Sequence, residues 1–312
     1  MSRQLGRNSA PAPLAGELGP YPTPLYAADE AARMPPLNLR AADGVVLIDG
    51  ANQTASTLIF KGVAWLGTEQ ARMLPGGLKF HSIDHYLEFL QSWGFNALRL
   101  PFDHDRMLRN IIVGDELADE LTFAPELLSL PYSRVLLTIA KAAARRAILV
   151  VLACARNTIH DEPGSDAPGT GMWANGAVSE ELAMRSWQRV AHAMCSQWNV
   201  VGTDLFAQPY KASWGSGDLN SDWDIAAQRL GNHLIEQCPR WLVFVQGVGQ
   251  QPGAGRINSE GIGVENLLEM GMFWGENMVG ARRHPIRLSD PTRLVYAPAT
   301  FGPSVYTFPF HS

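Results

Sequence analysis

Gly94-Phe95-Asn96-Ala97-Leu98-Arg99-Leu100-Pro101-Phe102 follows directly on residues 81–93, in which Ile83, Tyr86, Leu87 and Leu90 recur at helical spacing. Gly94 supplies the helix stop, and the short apolar run at 97–100 then reads as a buried strand. The same pair recurs along the chain. Residues 133–146, 179–198 and 222–237 carry helical patterns, and short apolar strands are expected at 59–66, 148–152, 200–206, 242–245 and 294–297. Alternation of this kind requires parallel strands joined by crossover helices, and it fits a (β/α)8 barrel better than an open nucleotide-binding sheet. Six strands are counted where a complete barrel has eight, so the barrel is expected to be incomplete. Before it, residues 37–58 read as a β-hairpin, with 44–48 as one strand and Asp49-Gly50-Ala51-Asn52 as turn chemistry. Residues 1–36, rich in Pro, Ala and Gly, read as an extended arm, leaving 37–312 as one barrel domain.

Composition agrees with one large domain. The chain has 312 residues, 46% of them hydrophobic, which is enough for a full core. A net charge of −5 gives no basic field for nucleic acid or an anionic membrane. No stretch approaches transmembrane length and no secretory signal is recognised, so an intracellular location is favoured. Cys154, Cys195 and Cys238 are widely spaced and odd in number, and are expected to be buried thiols of a reducing compartment, with a disulfide as the less favoured alternative.

Several motifs occur in a characteristic order. They are Lys61-Gly62-Val63-Ala64-Trp65-Leu66-Gly67, the 94–102 stretch, Val200-Val201-Gly202-Thr203-Asp204-Leu205-Phe206, Ala212-Ser213-Trp214-Gly215, Asp222-Trp223-Asp224-Ile225-Ala226-Ala227, Trp241 to Val248, and Leu294-Val295-Tyr296-Ala297-Pro298. Together they resemble glycoside hydrolase family 5, the cellulase-like β-glycanases, from about Lys61 to about Tyr306. The resemblance implies a hairpin that plugs the bottom of the barrel, and a cleft at its top with two catalytic carboxylates.

Carried over position by position, the resemblance implies an altered cleft. The acid/base Glu of an Asn-Glu-Pro motif is Gln208 here, and the Asn before it is Ala207. A substrate-binding His after the strand at 148–152 is Ala155; a second cleft His is Ala299 and a Tyr is Phe301. Arg99 is retained. The strand that carries the nucleophilic Glu is not found before Ser312. Glycoside cleavage with retention needs two carboxyl groups about 5 Å apart, and an amide carries no acidic proton. The expectation is therefore a catalytically inactive barrel kept as a structural or assembly subunit, with a protein partner or a second copy covering its open edge. The alternatives are a β-1,4-glycanase of the endoglucanase type and a carbohydrate-binding protein, with Trp214 and Trp274 as sugar-stacking residues. Trp65 and Trp173 raise the same possibility, with capping of the barrel core as the other reading, and a core role alone accounts for Trp65.

Other features offer less chemistry. His81 and His85 lack a third ligand nearby, and no metal or cofactor is expected. The glycines of 247–255 follow a strand, but their spacing is not that of a dinucleotide loop. Asp103, Asp105 and Arg106 read as solvated loop charges. Glu260, Glu265 and Glu276 are carboxylates in the loops between the fifth and sixth strands, with nothing to position a second carboxylate opposite them.

Overall fold

Among the described residues, nine strands form two sheets, accompanied by five α-helices. The structure, a computed structural model, describes residues 34–49, 55–161, 170–249, 273–302 and 304. Most of the 1–36 arm lies outside them.

The first sheet is antiparallel and has three strands, β1 (Leu39–Ala42), β2 (Val45–Asp49) and β3 (Ala55–Leu58), in that order. This corrects the single hairpin expected over 37–58. The missed signal is Asp43-Gly44, both at positive φ (51° and 77°), a two-residue turn that pairs Ala42 with Val45. Left-handed residues at both turn positions match the twist of the flanking strands, and Asp-Gly is a favoured sequence there. Of the turn expected at 49–52, only Asp49 lies among the described residues.

The second sheet is parallel, with β4 (Gly62–Ala64), β5 (Ala97–Asp103), β6 (Leu149–Arg156), β7 (Val200–Asp204), β8 (Leu242–Val245) and β9 (Leu294–Tyr296) side by side in sequence order. It is an incomplete (β/α)8-type barrel of six strands. Leu100 stands beside Leu152, Leu152 beside Thr203, and Thr203 beside Val243. Gly202 is needed for that approach, because a Cβ there would lie 2.6 Å from the Leu242 carbonyl oxygen.

Four helices match the expected segments: α1 (Ile83–Ser92), α3 (Tyr132–Arg145), α4 (Glu180–Met194) and α5 (Trp223–Gln237). Ser82 and Ser179 cap α1 and α4 by accepting from the N–H groups of His85 and Leu182. Gly94, at φ 69°, lies just beyond the α1 C-cap. A further short helix, α2 (His104–Arg109), was not foreseen. It is capped by the Asp103 carboxylate, which accepts from Arg106 N, and it ends at left-handed Asn110.

The inner faces of these helices and the sheet enclose the core. Its largest fully buried side chains include Trp187, Trp223, Trp241, Tyr132 and Phe102, with Phe102 edge-on to Trp187 at 4.9 Å. Trp173 is buried and belongs to this core. A second, smaller cluster lies at the strand beginnings, where Leu39 of β1 packs against Leu149, Val201, Leu242 and Trp198. The Arg293 guanidinium donates to the Leu39 carbonyl, tying the antiparallel sheet to the start of β9.

Cys195 and Cys238 form a disulfide, with Cα atoms 5.8 Å apart, rather than the two thiols expected. They are 43 positions apart in sequence, but each directly follows a helix, α4 or α5, and these helices pack side by side. Such a bond belongs to an oxidising environment. Cys154 is free and buried.

Candidate functional site

Parallel strands of a barrel all point their carboxyl ends the same way, and those ends carry the catalytic groups in barrel enzymes. A cavity of about 700 Å³ occupies the inner surface here, running from Val63, Leu98 and Val151 on the strands to the segments that follow them. Arg99, Ala155, Ala207, Gln208, Ala299 and Phe301 all line it, although they are scattered over about 200 positions of sequence.

Gln208 sits in the left-handed region at φ 54°, where its backbone N–H donates to Gln246 Oε1 at 2.9 Å. The Ala207 N–H donates to the Cys154 carbonyl at 2.8 Å, which joins this segment to β6. Arg99, on β5, donates through Nε (3.1 Å) and Nη2 (2.7 Å) to Asp204 Oδ2 at the end of β7. Gln246 Nε2 donates to the same oxygen at 2.6 Å. Asp204 and Gln246 were not singled out in the sequence. The available signal was their place at or just beyond strand ends.

Two other carboxyl groups line the cavity. Glu69 accepts from Gly67 N at 2.7 Å, and Asp161 accepts from Thr158 N and from Asn175 Nδ2. Neither was foreseen. Glu276 accepts from Phe273 N at 2.8 Å, whereas Glu260 and Glu265 lie outside the described residues. Of the glycine-rich loop at 247–255, only 247–249 are described, and Val248 there is bridged to Asn277.

The two tryptophans proposed for stacking differ. Trp274 is 39% exposed and lies parallel to Tyr210, with centroids 4.2 Å apart, and Tyr210 in turn lines the cavity. Trp214 is only 4% exposed and donates from Nε1 to the His284 carbonyl, so it is a core residue and not a sugar platform.

Asp103 and Arg106 also depart from expectation. Asp103 is fully buried, 3.0 Å from Arg106 Nη1, and burial pushes its carboxyl up to about 6 against the opposing pull of Arg106. The chain turns straight into α2 after β5, which draws Asp103 inward as a cap. Asp105 remains at the surface, paired with Arg109. Next to Asp103, the imidazole of His104 is buried against Ser186 Oγ (2.8 Å), and desolvation lowers it to about 3. Burial also raises the Cys154 thiol well above its ordinary value. His81 and His85 stack at 4.1 Å, and no group of three metal-capable side chains occurs among the described residues. No described helix is long and apolar enough to cross a membrane.

No family model matches the chain. An endoglucanase of Paenibacillus polymyxa is 28% identical over 270 residues, 86% of this chain and 61% of the relative. The major extracellular endoglucanase of Xanthomonas campestris is 27% identical over 250 residues, 79% of this chain and 46% of the relative. The chain thus spans about half to three fifths of the length of these curated relatives. Among solved structures, a complex of an endocellulase from Pyrococcus horikoshii with cellotetraose superposes with a TM-score of 0.73 at 26% identity, covering 88% of this chain and 72% of that one. The catalytic domain of the Xanthomonas campestris endoglucanase gives a TM-score of 0.66 at 25% identity, covering 82% and 67%.

The homologues and structural neighbours are therefore endoglucanases with this cellulase-like barrel fold. That finding overturns the expectation of an inactive structural subunit. The expectation rested on Gln208, Ala207, Ala155, Ala299 and Phe301 standing where the resemblance places polar cleft residues. The expected protein partner over the sheet edge has no support in these comparisons.

Proposed function

We propose that this protein is an endoglucanase-like glycoside hydrolase whose cavity takes a segment of β-1,4-linked glucan. The observation that carries the reading is the cavity itself. It lies inside a barrel whose neighbours include a cellotetraose-bound endocellulase, and it combines apolar walls with a few convergent polar groups. Trp274 and Tyr210 offer an aromatic face to a sugar ring, and Arg99, Asp204 and Gln208 offer hydrogen bonds to its hydroxyls.

Hydrolysis of an O-glycosyl bond needs a proton for the leaving oxygen and an anion for the developing positive charge. The Gln208 amide can hydrogen-bond the glycosidic oxygen but has no acidic proton. In this reading the acid step falls to a carboxyl group elsewhere, and Asp161 is the cavity carboxyl assigned to it. Asp204, paired with Arg99, supplies fixed negative charge. The test is release of reducing ends from soluble carboxymethylcellulose. The wild type should exceed a heat-killed blank, Asp161→Asn should fall by at least tenfold, and Gln208→Glu should rise. Saturable binding of cellotetraose without any turnover would overturn the hydrolytic reading.

A further inference from the structure

A chain of hydrogen bonds crosses the cavity wall from β5 to the segment after β7. Arg99 donates to Asp204 Oδ2, Gln246 Nε2 donates to that same oxygen, and Gln246 Oε1 accepts from the backbone N–H of Gln208, at 2.7, 2.6 and 2.9 Å. All four residues line the cavity. Gln246 is buried, and its own carbonyl is held by Trp223 Nε1 at 2.9 Å, so the side chain departs from a fixed backbone point. Gly275 lies against it, where a Cβ would stand 2.7 Å from Gln246 Oε1 and 3.2 Å from Gln208 Cα. The amide is therefore enclosed, and both of its polar atoms are engaged.

The conformation it holds is unfavourable in isolation. A non-glycine residue in the left-handed region is uncommon and persists where surrounding contacts over-determine it. At Gln208 the contact to that N–H comes from Gln246. Asp204 Oδ1, buried on the same wall, has no hydrogen-bond partner among the described residues, so the carboxylate is held through Oδ2, by Arg99 and Gln246.

We propose that Gln246 is a positioning residue of this cavity, its side-chain amide setting the backbone of Gln208 according to the Arg99–Asp204 pair. A shift of the Arg99–Asp204 pair is then felt at residue 208 through one rigid amide. The inference rests on the glucan reading for its ligand, but not for the coupling itself.

Two measurements on the full chain test it. In the first, hydrogen exchange is followed at the Gln208 amide without ligand, with the Leu205 amide, which donates to Phe244 O, as reference. Gln246→Leu should speed exchange at Gln208 at least tenfold and leave Leu205 unchanged. Gln246→Glu keeps the acceptor but sets a second carboxylate against Asp204, so protection should be lost at pH 8 and regained at pH 4. Unchanged exchange at Gln208, equal loss at both amides, or no recovery in acid would overturn the proposal. In the second, the Kd for cellotetraose should rise at least tenfold in Gln246→Leu, and an unchanged Kd would also overturn it. A wild type that ignores cellotetraose yet shows the exchange pattern would sink the glucan reading and leave the positioning role standing.

Discussion

Removing the Cys195–Cys238 bond should cost about 4 kcal/mol. The bond closes a loop spanning 43 positions, and the chain-entropy relation for a cross-link of that span gives a loss of about 13 cal/mol/K from the unfolded ensemble, about 4 kcal/mol at 25 °C. The folded state should change little, because the same junction is held without the sulfurs. Arg240 Nε and Nη2 donate to the carbonyls of Cys195 and Gln197, at 2.7 Å each, and Trp241 Nε1 donates to Val200 O at 2.8 Å. The effect is then read from guanidinium unfolding of the oxidised protein, the reduced protein and a Cys195→Ala, Cys238→Ala double variant. Reduced and double-variant curves should coincide at a lower midpoint, with a steeper slope, since an uncrosslinked chain exposes more surface on unfolding. Thiol titration in denaturant should find one reactive cysteine, Cys154, before reduction and three after. Oxidised and reduced proteins that unfold within about 0.5 kcal/mol of each other would refute the loop-entropy reasoning.

The adjacent pair Asp103 and His104 makes opposite pH predictions. His104 binds its proton more weakly when folded (about 3) than when unfolded, so its contribution to stability is lost as pH falls below about 6.5, by about 3 kcal/mol at pH 4.5. Asp103 binds its proton more tightly when folded (about 6), so its contribution is lost as pH rises from about 4 to about 6, again by about 3 kcal/mol. The two slopes nearly cancel between pH 4 and 6. Urea unfolding of Asp103→Asn should therefore reveal a steep acid loss, and His104→Gln an acid gain; parallel profiles for all three proteins would refute the assignments. Trp274→Ala should weaken cellotetraose binding roughly tenfold, from stacking worth about 1 kcal/mol or slightly more, with little change in melting temperature. Trp214→Ala should do the reverse, costing about 3–5 kcal/mol of stability as a buried indole is deleted.

The parallel sheet was legible because its signal is local. Each of the four expected helices announces itself by apolar spacing, and each strand by a short apolar run, so six strands and four helices could be placed from residues close in sequence. The lining positions Arg99, Ala155, Ala207, Gln208, Ala299 and Phe301 came from the family resemblance, and all six do line the cavity. What escaped depends on which side chains meet. The Arg99–Asp204 pair joins residues 105 positions apart, and a period-2 or period-3.6 pattern carries no trace of that meeting. The disulfide was missed for the same reason. Cys195 and Cys238 each follow a helix, and only the packing of those helices makes them neighbours. Asp103 was misread because a charged residue after a strand is ordinarily solvated, and only the immediate turn into α2 buries it.

The tie between Arg293 and the Leu39 carbonyl spans 254 positions. On the ribosome, β1 emerges long before the residue that fastens it, so the three-stranded sheet must wait while five parallel strands are synthesised. Contacts of such separation slow folding, because loop closure precedes the gain it brings. At about 5–20 residues per second the delay is roughly 10 to 50 seconds. Until Leu149, Trp198, Val201 and Leu242 follow, Leu39 is open to water and to other chains, and the Arg293 tie comes last. Yield on expression should accordingly depend on whatever shields that surface during synthesis more than on the stability of the finished barrel.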